Sequence, residues 1–253
     1  MALYTTIHLH NVPEGRESDY AKWFDGEHRQ ELKRLRGYKG SERHEVADAQ
    51  IMPDILQPWR FATVYDFESD TPEIDIPALG PLLANQRDAG LIANDTAERI
   101  YTYKLYGDWK FSPNHQPDQP FSGVSILLGN YVAGHFDEYQ TWYENVHSVE
   151  VINVPGHVGM KRGQLAEVQV EPKHYCPGDQ LVLCAHQSDD LMFTIRDFSA
   201  RARGVSPSGI AMEPRSNTGS FARTVHYFNK ISGDRFWPGG IAYAGDLSVY
   251  DEQ

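Results

Sequence analysis

Tyr20-Ala-Lys-Trp-Phe-Asp-Gly-Glu-His28-Arg-Gln-Glu31 lines up without a gap on Tyr139-Gln-Thr-Trp-Tyr-Glu-Asn-Val-His147-Ser-Val-Glu150. From residue 28 to residue 147 the shift is 119 positions, and Tyr, Trp, His and Glu recur in register. The same shift carries Gly37-Tyr-Lys-Gly-Ser-Glu-Arg43 onto Gly156-His-Val-Gly-Met-Lys-Arg162, so two glycines and an arginine also coincide. Self-similarity at a fixed period marks a duplicated fold unit. The chain is therefore expected to be one unit written twice.

Between the copies stands Pro113-Asn-His-Gln-Pro-Asp-Gln-Pro120, whose three prolines and polar filler suit neither a helix nor a central strand. This divides the chain into a first unit, 1–112, a linker, 113–120, a second unit, 121–233, and a tail, 234–253. Leu3 to Val12 alternates as a strand does, with Ile7 and Leu9 on one face and His8 and His10 on the other. Its counterpart is Val124 to Tyr131. Helix one is expected from Asp19 to Leu35 and from Asp137 to Val151, stopped by Gly37 and Gly156. A second strand follows each stop. Strand three is expected at Arg60 to Phe67 and Gln180 to His186, both dense in β-branched or aliphatic residues. Helix two spans Ile76 to Ala89 and Asp189 to Ala202. Strand four spans Arg99 to Tyr106 and Ala222 to Lys230, with Tyr103 and Tyr227 in comparable places.

The order β-α-β-β-α-β is the ferredoxin-like arrangement, an α+β unit with both helices on one face of an antiparallel sheet. The other face stays apolar, so the two sheets of one chain are expected to pack together as a barrel. The tail is expected to cross the seam between the units or to meet a neighbouring subunit in a homodimer.

At 100° per residue, Tyr20, Phe24, His28, Glu31 and Leu35 form one stripe of helix one, while Lys22, Asp25 and Arg29 fall toward solvent. The second copy repeats this with Tyr139, Tyr143, His147 and Glu150. An ionisable pair on an apolar face is costly unless bonded. Two readings follow: the pair is structural and satisfied by the fold, or each histidine faces a cavity between helix and sheet and moves protons there.

The runs Trp23-Phe-Asp-Gly-Glu-His28 with Gly37-Tyr-Lys-Gly, and Trp142-Tyr-Glu-Asn-Val-His147 with Pro155-Gly-His-Val-Gly159, resemble the EthD-like branch of the dimeric α/β-barrel superfamily. The resemblance implies that His28 and His147 match the motif histidine. It implies activities such as decarboxylation, dehydration, cyclisation and isomerisation of aromatic or polyketide-like compounds, with small oxygenases and haem-handling proteins in sister branches. The proline that this family places shortly after the histidine is absent from both copies.

Polar residues are unevenly shared. Where the first copy has His8 and His10, the second has Leu127 and Gly129. A first-copy pocket is therefore expected, with His28 as acid or base and His8, His10 or Tyr65 positioning a substrate oxygen. Tyr20, Trp23, Phe24, Glu31, Arg43 and Tyr103 are expected to bind substrate. Tyr139, Trp142, His147 and Glu150, with His186, His157 and Tyr227, offer a comparable set in the second copy.

His28-x-x-Glu31 and His147-x-x-Glu150 give two metal ligands each, fewer than a site needs. Phosphate-binding glycine loops and a Gly-x-Ser-x-Gly turn are missing, so chemistry without a cofactor is expected. The 35 acidic against 23 basic residues give a net charge of −12, which repels nucleic acid and anionic membranes. The two cysteines, Cys176 and Cys184, imply no disulfide framework. No basic leader with a long apolar run opens the sequence, which suggests the cytoplasm. The expected function is a cofactor-independent lyase or isomerase using histidine acid/base catalysis on a small oxygenated ring compound. A monooxygenase of the same fold, cofactor-free or haem-associated, and a non-catalytic binder are the alternatives.

Overall fold

The computed structural model describes residues 1–52, 57–94, 97–171, 178–214, 221–233 and 241–242. Among these residues ten strands are formed: β1 (Ala2–His10), β2 (Tyr38–Val46), β3 (Phe61–Ser69), β4 (Arg99–Leu105), β5 (Lys110–Phe111), β6 (Gly123–Asn130), β7 (His157–Leu165), β8 (Gln180–His186), β9 (Phe221–Gly233) and β10 (Ile241–Ala242). Four helical segments lie between them: α1 at 17–32, α2 at 72–88, α3 at 136–152 and α4 at Leu191–Ala202. Eight strands pair in the order β7-β4-β1-β3-β2-β9-β6-β8, and β8 returns to β7, closing an antiparallel barrel. Closure leaves those strands no free edge. Outside it, β5 pairs with β7 and β10 runs parallel to β5. The rest of the tail, like Cys176, lies outside the described residues.

The pairing register carries the shift of 119 well beyond the quoted motif. Thr6 faces Tyr65 across β1 and β3, and Ser125 faces Cys184 across β6 and β8. Arg43 faces Thr63, and Arg162 faces Val182. Even the irregularity between Tyr38 and Gly40 recurs between His157 and Gly159. In the fourth strands the shift grows to 125, because Thr6 faces Thr102 while Ser125 faces Tyr227. This corrects the pairing of Tyr103 with Tyr227. The counterpart of Tyr103 is Phe228, and since successive strand residues face opposite ways, Tyr103 enters the barrel core while Tyr227 packs on the helix side.

Inside the barrel lie Ile7, Leu9, Val64, Tyr103, Ile126, Leu183 and Phe228 with their neighbours. The helices cover the outside. α1 begins as Glu17–Trp23, widens into a π turn at Phe24–His28 and resumes as Arg29–Leu32. α3 repeats this, with a π turn at Tyr143–His147. The wider turn advances the residues after it relative to a uniform helix, so Leu32 is fully buried where the wheel had placed Glu31, which is only half-buried. π turns are uncommon and gather at functional positions. α2 starts earlier than expected and is broken into Pro72–Asp75, a tight turn Pro77–Leu79 and Gly80–Asp88, since a proline supplies no N–H to the helix ladder.

Gly37 and Gly156, at φ 78° and 89°, make the turns out of α1 and α3. A Cβ on Gly37 would stand 2.5 Å from the Glu68 carbonyl oxygen, so the position requires glycine. Residues 113–120 run as turns. No helix among the described residues is long and apolar enough to cross a membrane.

After β2 and after β7 the chain crosses to the other half. The Gln50 side-chain amide donates to the carbonyls of Ala47 and Tyr227, both at 2.8 Å, and accepts the Tyr227 N–H at 3.0 Å. Gln169, which is 119 positions on, does the same with Ala166 at 2.7 Å and Thr102 at 2.9 and 2.8 Å. Ile51 and Val170 follow these glutamines, so each half receives an aliphatic side chain from the other.

Candidate functional site

Each half carries a histidine cluster between helix and sheet, and the two are packed differently. In the first half, strand alternation sends Ile7 and Leu9 into the barrel and His8 and His10 toward α1, all of them fully buried. His8 Nε2 lies 2.7 Å from the Glu98 carboxylate, which also pairs with Arg87 at 2.8 Å, and Arg87 reaches Glu171 at 2.7 Å. Burial would raise the Glu98 carboxyl, but the bonds from His8 and Arg87 bring it down to about 2. The His10 ring lies 4.4 Å from His8 and 5.4 Å from Tyr20. Burial, followed by the neighbouring His8, holds His10 well below the usual histidine range.

His28 stacks on Trp23 at 4.3 Å and touches Phe24 at 5.2 Å. Its Nε2 lies 3.4 Å from the Tyr65 hydroxyl and 3.2 Å from the Gln86 amide nitrogen. With the Gln86 amide donating to its single lone pair, Nε2 is the acceptor and the proton sits on Nδ1, which has no hydrogen-bond partner among the described residues. Burial, then His8, lowers its pKa from 6.5 to about 3. Ile76, Leu79 and Leu83 from α2 and Val170 from the crossing segment fill the same cluster. His28 is thus a neutral ring in dense packing, and neither cavity described below touches it.

In the second half, His147 stacks on Trp142 at 4.4 Å with the rings 13° from parallel, and meets the edge of Tyr143 at 5.1 Å. Nδ1 lies 3.5 Å from the Glu150 carboxylate, whose other oxygen accepts the Glu213 N–H at 2.5 Å. Both side chains are buried, yet His147 lines two cavities. The outer one, of about 710 Å³, opens between α3 and α4 and is walled by Trp142, Met192, Ile195, Phe198 and Met212, with Gln50 and Ile51 from the first half. Its volume lies in the range of small-molecule sites, about 300–1,000 Å³. The inner one, of about 70 Å³, is bounded by Ser125, Leu127, Tyr143, His157, Cys184 and Tyr227 among others.

Substitution at matched register positions accounts for the difference. Leu127 and Cys184 stand where His8 and Tyr65 stand in the first half; leucine replaces histidine at similar size without its polar atoms, and the much smaller cysteine leaves the inner space. Burial pushes the Cys184 thiol up to about 12, so it is a packing residue there. His157 Nδ1 lies 3.1 Å from the Val151 carbonyl, and its Nε2 is without a partner among the described residues. Burial lowers it to about 4, with the Val151 bond opposing. His186 stacks on His157 at 5.0 Å and is held well below the ordinary range by burial, then by His157 and His44.

The remaining expected site residues sort as follows. Tyr20, Trp23, Phe24, Tyr65, His8, His10 and His28 come together in the filled first-half cluster. Arg43 is buried over the Tyr20 and Phe24 rings at 5.5 and 5.7 Å, and Arg162 over Tyr143 at 4.3 Å and Tyr139 at 5.6 Å, so neither guanidinium is solvated as a strand arginine usually is. Tyr103 lies on the far side of the sheet, donating to the Gly178 carbonyl at 3.0 Å. Glu31 is half-buried and apart. Sequence reasoning missed Gln86 and Glu98 as cluster members, and Gln50 and Ile51 as cavity wall. The second pair was signalled by Gln50 and Gln169 standing 119 apart. Among the described residues no group of three or more His, Cys, Asp or Glu is arranged to hold a metal.

No known protein-family profile and no curated protein sequence matches the chain. Among solved structures it is similar to an anthrone oxidase-like protein, with 9% identity, a TM-score of 0.57, and 96% of this chain and 97% of that one covered. It is also similar to proposed monooxygenases from Fusobacterium nucleatum (11% identity, TM-score 0.54, 96% and 97% covered) and Lactobacillus acidophilus NCFM (10%, 0.52, 97% and 98%). At these identities the likeness is one of fold: the closed antiparallel barrel with four helices is shared along nearly the whole length of each chain.

Proposed function

We propose that the chain is a cofactor-independent oxygenase or oxidase acting on an oxygenated aromatic compound, with His147 as the base. The observation that carries this reading is the placement of His147: a buried imidazole next to the Glu150 carboxylate, on the wall of a 710 Å³ cavity. A carboxylate 3.5 Å from Nδ1 stabilises the imidazolium formed when Nε2 takes a proton. The acidic carbon of the substrate loses that proton, and the carbanion left behind is delocalised into the ring. Dioxygen oxidises it. For an anthrone-type methylene, the CH2 becomes a carbonyl, one oxygen atom stays and the other leaves as water. The substrate type is taken from one fold neighbour, the anthrone oxidase-like protein.

Proton abstraction is also the first half of a lyase or isomerase reaction, and the His147–Glu150 pair could return the proton to the substrate instead. Oxygen uptake with anthrone separates the two. The oxygenase reading expects anthrone-dependent oxygen consumption that His147→Ala abolishes. Hydrogen exchange at the methylene in deuterated buffer without oxygen uptake would favour the isomerase class. Neither signal would remove His147 as a base for this substrate type.

We further propose that the chain is a tandem pair of ferredoxin-like units, EthD-like in their motif, at 1–112 and 121–233. The support is the register: 119 positions relate three strand pairs, both π turns and both crossing glutamines.

A further inference from the structure

We infer that the cavity beside His147 takes an aromatic compound bearing an anionic group, which Arg196 and Arg203 hold while the reacting carbon faces His147. This rests on the reading of that cavity as a substrate pocket and adds the class of substrate. Arg196, Ser199 and Arg203 all border the cavity. Spacings of three and four residues place them on one side of α4, and seven residues separate the two arginine Cα atoms by about 10 Å. The third arginine nearby, Arg201, is buried and committed to Asp197 at 2.9 Å and the Asn153 carbonyl at 3.3 Å.

Arg196 and Arg203 are exposed, and among the described residues neither forms an ion pair; Arg203 Nε only donates to the Ser199 carbonyl at 3.1 Å. Opposite them on the lining stands one carboxylate, Glu213. The chain as a whole carries a charge of −12, whereas the residues lining the cavity include two guanidiniums and one carboxylate. A cleft of that kind draws in an anion that the rest of the surface repels. The guanidinium fork fits the paired oxygens of a carboxylate or sulfonate. Trp142, Phe198 and Ile195 supply apolar wall for a ring system. Cationic residues on one side and aromatic faces on the other together select an aromatic acid.

The test compares two fluorescent probes with a common ring system, 1-anilinonaphthalene-8-sulfonate and the uncharged N-phenyl-1-naphthylamine, binding to the full chain. The sulfonate probe is expected to bind about 10-fold more tightly at low salt, with the preference shrinking as salt rises. Arg196→Ala combined with Arg203→Ala should weaken the sulfonate probe by about 10-fold or more and leave the neutral probe within about 2-fold. The corresponding double lysine variant should recover part of the loss. Equal binding of the two probes by the unaltered protein, or a sulfonate affinity untouched by the double alanine variant, overturns the inference. So does binding of neither probe, which would also remove the pocket. His147→Ala keeps the two questions apart, because it should preserve the probe preference. Lost turnover without a probe preference would remove only the anion site, and a probe preference with full turnover in that variant would remove only the catalytic role.

Discussion

Cys184 occupies on β8 the register position that Tyr65 occupies on β3: Tyr65 faces Thr6 across one strand pair, and Cys184 faces Ser125, 119 positions on, across the other. In the first half the Tyr65 ring closes over His28 with its hydroxyl 3.4 Å from Nε2. In the second half the thiol leaves a space of about 70 Å³ that His147 borders. A single side chain thus does much to decide which histidine has room beside it.

Cys184→Tyr is therefore expected to reproduce the first-half packing and close the inner chamber. Overpacking should cost about 1–3 kcal/mol of stability. If the chamber seats part of the substrate, turnover of anthrone should fall to the level of the His147→Ala variant while the fold persists. Denaturant midpoints and oxygen uptake measured on the same preparation would decide the matter. Full activity with a filled chamber would show that the substrate uses the outer cavity alone.

The two motif histidines should respond oppositely to truncation. His28 is fully buried between Trp23 and Tyr65, so His28→Ala leaves a cavity and takes a hydrogen-bond partner from Tyr65 and Gln86, a loss expected at about 2–4 kcal/mol. His147 already borders open space, so His147→Ala should cost about 1 kcal/mol or less while abolishing turnover. The wheel placed both rings on an apolar face, and the richer polar set of the first copy favoured His28. Wild-type turnover in His147→Ala together with its loss in a folded His28→Ala protein would restore that assignment.

The duplication was legible because the helix-one motif has no gap, and its period then runs unaltered through β1, β2, β3 and their partners. The fourth strands were legible as strands and illegible in register, since the segments before them differ in length by six residues and a shift of one residue exchanges the two faces of a strand. That is why Tyr103 was matched to Tyr227, although the two lie on opposite faces of the sheet. The π turns escaped because a uniform 100° wheel has no place for a widened turn, and Glu31 was misplaced as a result. The cavity escaped for another reason: its wall includes Gln50 and Ile51, which reach His147 only once the barrel has closed and the loop after β2 has crossed to the other half.

Acid should destabilise the fold from near neutrality. Burial lowers His28 from 6.5 to about 3 and lowers His157 and His226 to about 4, so these rings stay neutral in the fold while the unfolded chain binds protons below 6.5. Their contribution to stability is therefore complete above 6.5 and is lost as the pH falls from there toward 4 and 3. Each group contributes a slope of about 1.4 kcal/mol per pH unit within its window. Glu98, drawn from 4.5 to about 2, acts in a lower window and adds its own loss only below 4.5. Urea midpoints at pH 7.5, 6.5, 5.5 and 4.5 should fall steadily, and His28→Gln should reduce the slope by about one group's share. A flat profile between 6.5 and 5 would mean that these imidazoles are hydrated rather than buried.

The crossing glutamines offer the sharpest test of how the halves are joined. Gln169 satisfies both backbone groups of Thr102 and the Ala166 carbonyl, and Gln50 does the same for Tyr227 and Ala47. Leucine at either position removes three hydrogen bonds and leaves backbone groups without their partner, an expected loss of about 2–3 kcal/mol each. The two sites share no partner, so the double variant should lose the sum of the single losses to within about 0.5 kcal/mol. Only Gln50 lines the cavity, so Gln50→Leu should also alter probe binding while Gln169→Leu leaves it unchanged. Chemical denaturation of the two single variants and the double, with the probe titrations alongside, measures all of this. A double variant no less stable than the weaker single one would show that the segments detach together, and the halves would then be held by strand pairing alone.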